Sequence, residues 1–338
     1  MMHTHRVAVL GGGSFGTVVA NLIACNGHPV CLWLRNDARV EAINSARENA
    51  EYLPGYRLDD KLRATTSLED AVSAIDILFL AVPSASFREV ARRLAGLLSP
   101  QALLVSLTKG IEAPGFHLMS EILAQELPEN PCAVLSGPNL AGEIAAGGIA
   151  GAVVASRSDA INTTLHDLLH SDRFLIYGSG DMYGVELGGA LKNVYAILAG
   201  LGDALDFGEN TSGLLLTRAL SEMSRFAVHC GANPMTFLGL AGVGDLFVTC
   251  SSPLSRNYRI GQAIGRGQPL SEVLAAMDQV AEGINTLELL KAQAEQRGVP
   301  MPLVNGLYDI LHHSRPVSEL FSDMMTREQA QDVEFVAG

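Results

Sequence analysis

The stretch RVAVLGGGSFGTVVA constrains the fold of this chain more than any other. An apolar run, read as a strand over Arg6–Leu10, leads into Gly11-x-Gly13-x-x-Gly16, and a helical pattern follows over Gly16–Asn26. A glycine pattern of this kind is weak alone and strong between a strand and a helix. Gly11 permits a tight turn, Gly13 lets a pyrophosphate approach the backbone, and Gly16 lets the helix pack on the strand. The free N–H groups at the helix start then suit a diphosphate. The motif predicts a dinucleotide-binding domain.

The next apolar run, Val30–Leu34, ends at Arg35. An acidic residue there would bind the ribose 2′-hydroxyl, whereas arginine pairs with a 2′-phosphate. NADP(H) is therefore the preferred cofactor. Asp37, two residues on, keeps NAD(H) possible.

Further apolar runs read as strands over Asp76–Val82, Ala102–Ser106, Ala133–Leu135, Gly151–Ala155 and Phe174–Tyr177, with helical patterns such as Phe87–Leu98 between them. Continuous apolar strands alternating with helices predict an α/β domain with a Rossmann-like, doubly wound, mostly parallel sheet. Beyond Tyr177 no strand pattern follows. Helical patterns occupy Gly184–Leu201, Thr211–His229, Met235–Leu240, Leu270–Met277, Thr286–Arg297 and Leu303–His312. The expected domains are residues 1–183, binding the dinucleotide, and residues 184–338, an all-helical substrate and catalytic domain. The tail beyond Thr326 reads as acidic and loosely held.

The net charge of −13 argues against nucleic acid and anionic membrane surfaces as partners. No apolar run approaches the roughly 20 residues of a membrane helix, and no signal-peptide pattern precedes the first strand. Cys25, Cys31, Cys132, Cys230 and Cys250 form no C-x-x-C pair and lack zinc-ligand spacing. They read as reduced, buried thiols in a cytoplasmic protein without a metal.

In ELGGALKNVYAI, Leu187, Leu191, Val194 and Leu198 form one helical stripe, and Lys192 falls off it. Gly188 and Gly189 precede the lysine by one turn, and Ala196 and Ala199 follow it. Each glycine costs roughly 1 kcal/mol in a helix interior, so close approach of another group, such as a ligand in a groove, would explain them. A partly desolvated lysine near other cations has a lowered pKa and can exchange a proton. Oxidation of a secondary alcohol needs such a base as hydride leaves for a nicotinamide. A lysine snorkelling at the helix edge remains the alternative.

Other polar groups lie on turns. Lys109 follows a strand, and Gly137 and Asn139 follow the next, at the carboxyl ends where parallel sheets bind ligands. Asp245 stands on a glycine-rich loop. Ser255, Arg256, Asn257 and Arg259 together suit a phosphate oxyanion. Glu282 precedes a glycine. Capping or solvated roles compete for each.

The motifs GGGSFGT, LTKGIE, SGPNLAGE, ELGGALKNVYAI, GVGDLFVTCSSPLSRNYRIG and VAEGINT resemble, in order, those of the bacterial-type NAD(P)-dependent glycerol-3-phosphate dehydrogenase family. The resemblance implies reversible hydride transfer between NAD(P)H and dihydroxyacetone phosphate, giving sn-glycerol 3-phosphate for phospholipid synthesis. It makes Lys192 the proton-transfer residue, with Asp245 orienting it or the substrate hydroxyl. It assigns Lys109, Gly137, Asn139, Lys192, Asp245, Ser255, Arg256 and Asn257 to the substrate. It assigns Ser14, Phe15, Arg35, Lys109, Ala141, Arg256, Val280 and Glu282 to the dinucleotide. A homodimer is the expected assembly. Asn139 stands where the family usually has serine or threonine, and Phe15 where tryptophan or tyrosine is common. A β-hydroxyacid dehydrogenase of related fold and a non-catalytic NAD(P)-binding redox sensor are the rival readings.

Overall fold

The computed structural model describes residues 4–276, 282–313 and 315–320. The strands, in chain order, are β1 (Val7–Leu10), β2 (Val30–Trp33), β3 (Glu48–Asn49), β4 (Leu53–Arg57), β5 (Leu62–Thr65), β6 (Ile77–Leu80), β7 (Leu103–Ser106), β8 (Ile111–Glu112), β9 (His117–Leu118), β10 (Cys132–Ser136), β11 (Ala150–Ala155) and β12 (Phe174–Ser179). Eight of them form one sheet in the order β12-β11-β10-β7-β6-β1-β2-β5. Every neighbouring pair is parallel except β10–β11, which is antiparallel. The small pairs β3–β4 and β8–β9 lie outside this sheet.

The apolar runs dictate the sheet's burial. Every residue of β1, β2, β6 and β7 is buried, as expected for strands covered on both faces. Their side chains alternate between two cores. Val7, Val9, Leu32 and Phe79 pack with Val19, Ile23 and Leu165 on one side. Ala8, Leu10, Trp33, Leu78 and Leu80 pack with Phe87 and Ile122 on the other. Strand β1 lies between β2 and β6, so the chain reverses its direction of growth across the sheet there. The carboxyl end of β1 is thus a topological switch point, where open α/β sheets bind ligands.

The chain divides into two compact units. The first comprises residues up to Glu112 with His117–Glu186, and the second comprises Ala113–Phe116 with the described residues from Leu187 onward. The second unit is built around the helix Met182–Ala204, whose residues from Leu187 to Leu198 are all buried. A helix buried on every side belongs in the middle of a bundle. The helices Glu209–His229, Arg256–Gly265, Glu282–Arg297 and Pro302–His313 belong to the same unit. Phe116 is buried in this unit, edge-on to Phe226 with ring centroids 5.6 Å apart.

Three sequence expectations need correction. Met235–Leu240 is not one helix: a 3₁₀ turn at Pro234–Leu238 gives way to a π turn at Leu240–Gly244, closed by Gly244 N donating to Gly239 O at 3.3 Å. Strand β5, at the sheet edge, was not expected. Its alternating burial shows why, because an edge strand lacks the continuous apolar run of a central one. Among the cysteines only Cys31 and Cys250 are buried, Cys132 and Cys230 are half-buried, and Cys25 is exposed.

Candidate active site

The glycine turn forms as its residue types require. Gly11 has φ +120°, a conformation that favours glycine, and a Cβ there would lie 2.3 Å from Ala81 O. A Cβ on Gly16 would lie 2.0 Å from Gly11 O. Both glycines therefore serve packing. Gly13 is different, because a Cβ there would meet nothing within 4 Å. It is also the N-cap of the helix Ser14–Cys25, with no side chain capping it and no acidic residue in the first turn. Open space above an uncapped helix start is what a diphosphate needs, so the residues present fit a dinucleotide. Buried Asn49 steadies the turn, donating to Gly12 O at 3.0 Å and Thr17 Oγ1 at 2.8 Å. Ser14 Oγ donates to Tyr52 O at 2.9 Å, and Phe15 packs half-buried against the core.

At the end of β2, Arg35 is exposed. The Asp37 carboxylate accepts from Thr66 Oγ1 at 2.7 Å. Lys109 follows β7 and donates from Nζ to Gly137 O at 2.9 Å. Gly137 itself has φ +138°, and a Cβ there would crowd Gly151 O at 3.1 Å. Asn139 Nδ2 donates to Gly151 O at 3.0 Å, while its buried Oδ1 has no partner among the described residues. Ala141 begins the short helix Ala141–Ala145. The structure thus brings Lys109, Gly137 and Asn139 together beside the carboxyl end of β10.

In the second unit Lys192 is only 7% exposed and Asp245 only 1%. Lys192 Nζ is ion-paired and hydrogen-bonded to Asp245 Oδ1, and it donates to Thr249 Oγ1 at 2.6 Å. Thr249 Oγ1 in turn donates to Asp245 O at 2.6 Å. The glycines of Leu240–Gly244 permit the π turn that ends at Asp245, and the helix Asp245–Ser251 then sets Thr249 one turn beyond. π turns recur at functional sites because they redirect the following side chain. A buried ammonium needs paired, bonded surroundings, and here Asp245 and Thr249 take two of its three N–H bonds.

Next to this group, Asn257 Nδ2 donates to Asn193 Oδ1 at 3.0 Å and its Oδ1 accepts from Gly283 N at 3.2 Å. Ser255 Oγ caps the helix Arg256–Gly265 by accepting from Tyr258 N. Arg256 is the exposed first residue of that helix, and Glu282 the half-buried first residue of Glu282–Arg297. Val280 lies outside the described residues. No group of three metal-ligating side chains occurs among the described residues.

A family model for the N-terminus of NAD-dependent glycerol-3-phosphate dehydrogenase matches residues 6–162, and its C-terminal counterpart matches residues 181–322. The chain belongs to this family. It is 52% identical over 338 residues to a glycerol-3-phosphate dehydrogenase [NAD(P)+] of Teredinibacter turnerae, covering 100% of this chain and 99% of that one. It is 51% identical to the enzyme of the same description from Azotobacter vinelandii, again covering 100% and 99%. A crystal structure of glycerol-3-phosphate dehydrogenase from Coxiella burnetii superimposes with a TM-score of 0.90 at 35% identity, covering 96% of this chain and 99% of that one.

Within a member of this dehydrogenase family, two sequence expectations change. Gly188 does not open a ligand groove: a Cβ there would lie 2.4 Å from Ala241 O, so the glycine lets the Leu240–Gly244 turn approach the lysine helix. The group facing Lys192 is an anion, not another cation. Thr249 was missed, although its position four residues after Asp245 places both on one helix face. Asn49 was missed because a two-residue strand gives no periodicity to read.

Proposed function

We infer that this chain is an NAD(P)-dependent sn-glycerol-3-phosphate dehydrogenase, reducing dihydroxyacetone phosphate to sn-glycerol 3-phosphate and running the reverse oxidation. The observation that carries this reading is the buried Lys192–Asp245–Thr249 group in a chain of this family. An ammonium has three N–H bonds. Two are directed at Asp245 and Thr249, which leaves one for the substrate's keto oxygen. Lys192 polarises that carbonyl and gives it a proton in reduction, and takes the hydroxyl proton in oxidation. Asp245 and Thr249 hold the amine in place, so little reorganisation accompanies the proton's movement.

When bound, the nicotinamide supplies the hydride. Gly13, Ser14 and Phe15 hold its diphosphate and adjoining groups, on the turn that Gly11 and Gly16 let form, with Ala141, Val280 and Glu282 as further contacts. Arg35 pairs with a 2′-phosphate, so NADP(H) is preferred over NAD(H). Residues 1–183 serve the dinucleotide and residues 184–338 serve substrate and chemistry. Lys109, Lys192 and Arg256 supply cations for a phosphorylated substrate that an acidic chain would otherwise repel. Gly137, Asn139, Ser255 and Asn257 complete its polar contacts. The product feeds phospholipid synthesis, in a cytoplasmic homodimer. No helix among the described residues is long and apolar enough to cross a membrane.

The deciding experiment is oxidation of NADPH on addition of dihydroxyacetone phosphate, repeated with NADH. Turnover with both and a lower KM for NADPH is expected. Cofactor binding without turnover would leave a redox sensor, and preference for β-hydroxyacids in a substrate panel would move the chain to the related enzyme class.

A further inference from the structure

A cavity of about 200 Å³ lies between the helix Glu209–His229 and the segment beginning at Pro300. Arg218, Glu222, Arg225, Asn305, Asp309 and Arg315 are among the residues lining it. Glu222 is only 2% exposed, and a carboxyl group so buried is costly unless it is bonded. Its Oε2 accepts from Leu303 N at 2.9 Å and its Oε1 from Val304 N at 3.0 Å. Both amides belong to the first turn of the helix Pro302–His313, where N–H groups lack partners within the helix. Tyr195 Oη donates to the same Oε1 at 3.4 Å.

Tyr195 is fully buried and follows Lys192 by three residues, a spacing that makes the two helical neighbours. Cys250 lies close to both. Its thiol feels the charges of Lys192 and Asp245, and it acts in turn on Tyr195. A contiguous set of buried groups therefore joins the cavity wall to the reacting ammonium.

We propose that Glu222 is a positioning residue for Lys192: through Tyr195 it pins the lysine helix to the first turn of Pro302–His313, and it does so most firmly when ionised. A carboxylate accepts all three donors. A protonated carboxyl has an O–H of its own, and the bond it disturbs is the longest, the one from Tyr195. Burial raises the Glu222 carboxyl to about 7, opposed by the amides of Leu303 and Val304, the charge of Arg225 and the Tyr195 hydroxyl. The titratable and charged groups around it are Tyr195 on the lysine helix, Arg218 and Arg225 on its own helix, and Asp309 and Arg315 across the cavity, while Cys250 on Asp245–Ser251 bears on Tyr195. The cavity gives protons their path to it.

The proposal rests on Lys192 being the proton-transfer group. The test measures kcat and KM for wild type, Glu222→Gln and Glu222→Ala with NADPH and dihydroxyacetone phosphate, from about pH 5.5 to about pH 9. Glu222→Ala is expected to lower kcat by about 10–100-fold, the scale of a small misplacement of a catalytic group, with KM for NADPH nearly unchanged. Glu222→Gln keeps one acceptor oxygen but cannot ionise, so it recovers part of that loss and holds the low-pH level of the wild type across the range. The wild-type kcat profile carries a limb near pH 7 that Glu222→Gln lacks. Superimposable profiles for wild type and Glu222→Gln would overturn the proposal, as would a loss in Glu222→Ala confined to KM for NADPH. Should Glu222→Ala fail to fold, the Glu222→Gln profile decides alone. A wild type that cannot reduce dihydroxyacetone phosphate would refute the functional reading instead.

Discussion

Lys192 holds its ammonium where little water reaches it, and two fixed oxygens stand in for solvent. Such preorganisation is what a proton-transfer group needs, because reorganisation during reaction is costly. Lys192→Ala is expected to lower kcat by about 10²–10⁴-fold, the range for lost general acid–base catalysis, with dinucleotide affinity by fluorescence titration little changed. Thr249→Val removes one bond to a charged group, worth about 1.5–3 kcal/mol. It should give a smaller kcat loss in the same steady-state assay. Arg35→Ala should weaken NADPH more than NADH in paired titrations, and equal weakening would remove Arg35 from 2′-phosphate recognition. Much of this site was legible as residue types on turns. Lys192, Asp245 and the glycines announce themselves because each is costly where it stands. Thr249 and Asn49 do not, since a threonine in a helix and an asparagine in a short strand are unremarkable until their partners are placed.

The elements pack closely where glycines meet. A Cβ on Gly200 would lie 1.9 Å from Tyr258 O, and one on Gly261 would lie 2.0 Å from Ile197 O. The helices Met182–Ala204 and Arg256–Gly265 thus cross backbone to backbone, each giving up a side chain to the other. Gly200→Ala should therefore destabilise the protein by about 1–3 kcal/mol, the usual cost of overpacking, as read from urea midpoints. Gly213→Ala on Glu209–His229 meets nothing within 4 Å, and should stabilise by up to about 1 kcal/mol through helix propensity. Opposite signs from one chemical change would separate packing from propensity. At this scale the central strands were legible because double burial leaves an unbroken apolar run. Strand β5 was not, because half its residues face solvent. Met235–Leu240 reads as one helix because Met235 and Leu238 stand three apart, at helical spacing. Gly239, Gly242 and Gly244 let the backbone depart from it.

Across the whole molecule, one buried carboxyl in each unit closes the start of a distant helix. In the second unit this is Glu222. In the first it is Glu186, which accepts from Ser120 N at 2.9 Å and from the Ser120 hydroxyl, at the start of Met119–Glu126. Burial raises the Glu186 carboxyl from 4.5 to about 7, against the pull of Ser120. Glu186 thus binds its proton more tightly in the fold than in the unfolded chain. Its contribution to stability is full below about pH 4.5 and fades as pH rises through about 7. Glu186→Gln should therefore lose less Tm than wild type between about pH 4.5 and about pH 7 in thermal melts, and an unchanged slope would show that Glu186 does not titrate there. Neither pairing was legible in the sequence, because residues far apart along the chain supply the two halves.

The second unit also borrows Ala113–Phe116 from the middle of the first, and Phe116 lies buried against Phe226. A gene cut after Glu186 would strand that aromatic ring on the wrong polypeptide and leave its socket vacant. On the ribosome the ring must wait, uncovered, until Phe226 has been synthesised. Maturation of the two halves is therefore interleaved, and neither is a module that recombination can lift out whole.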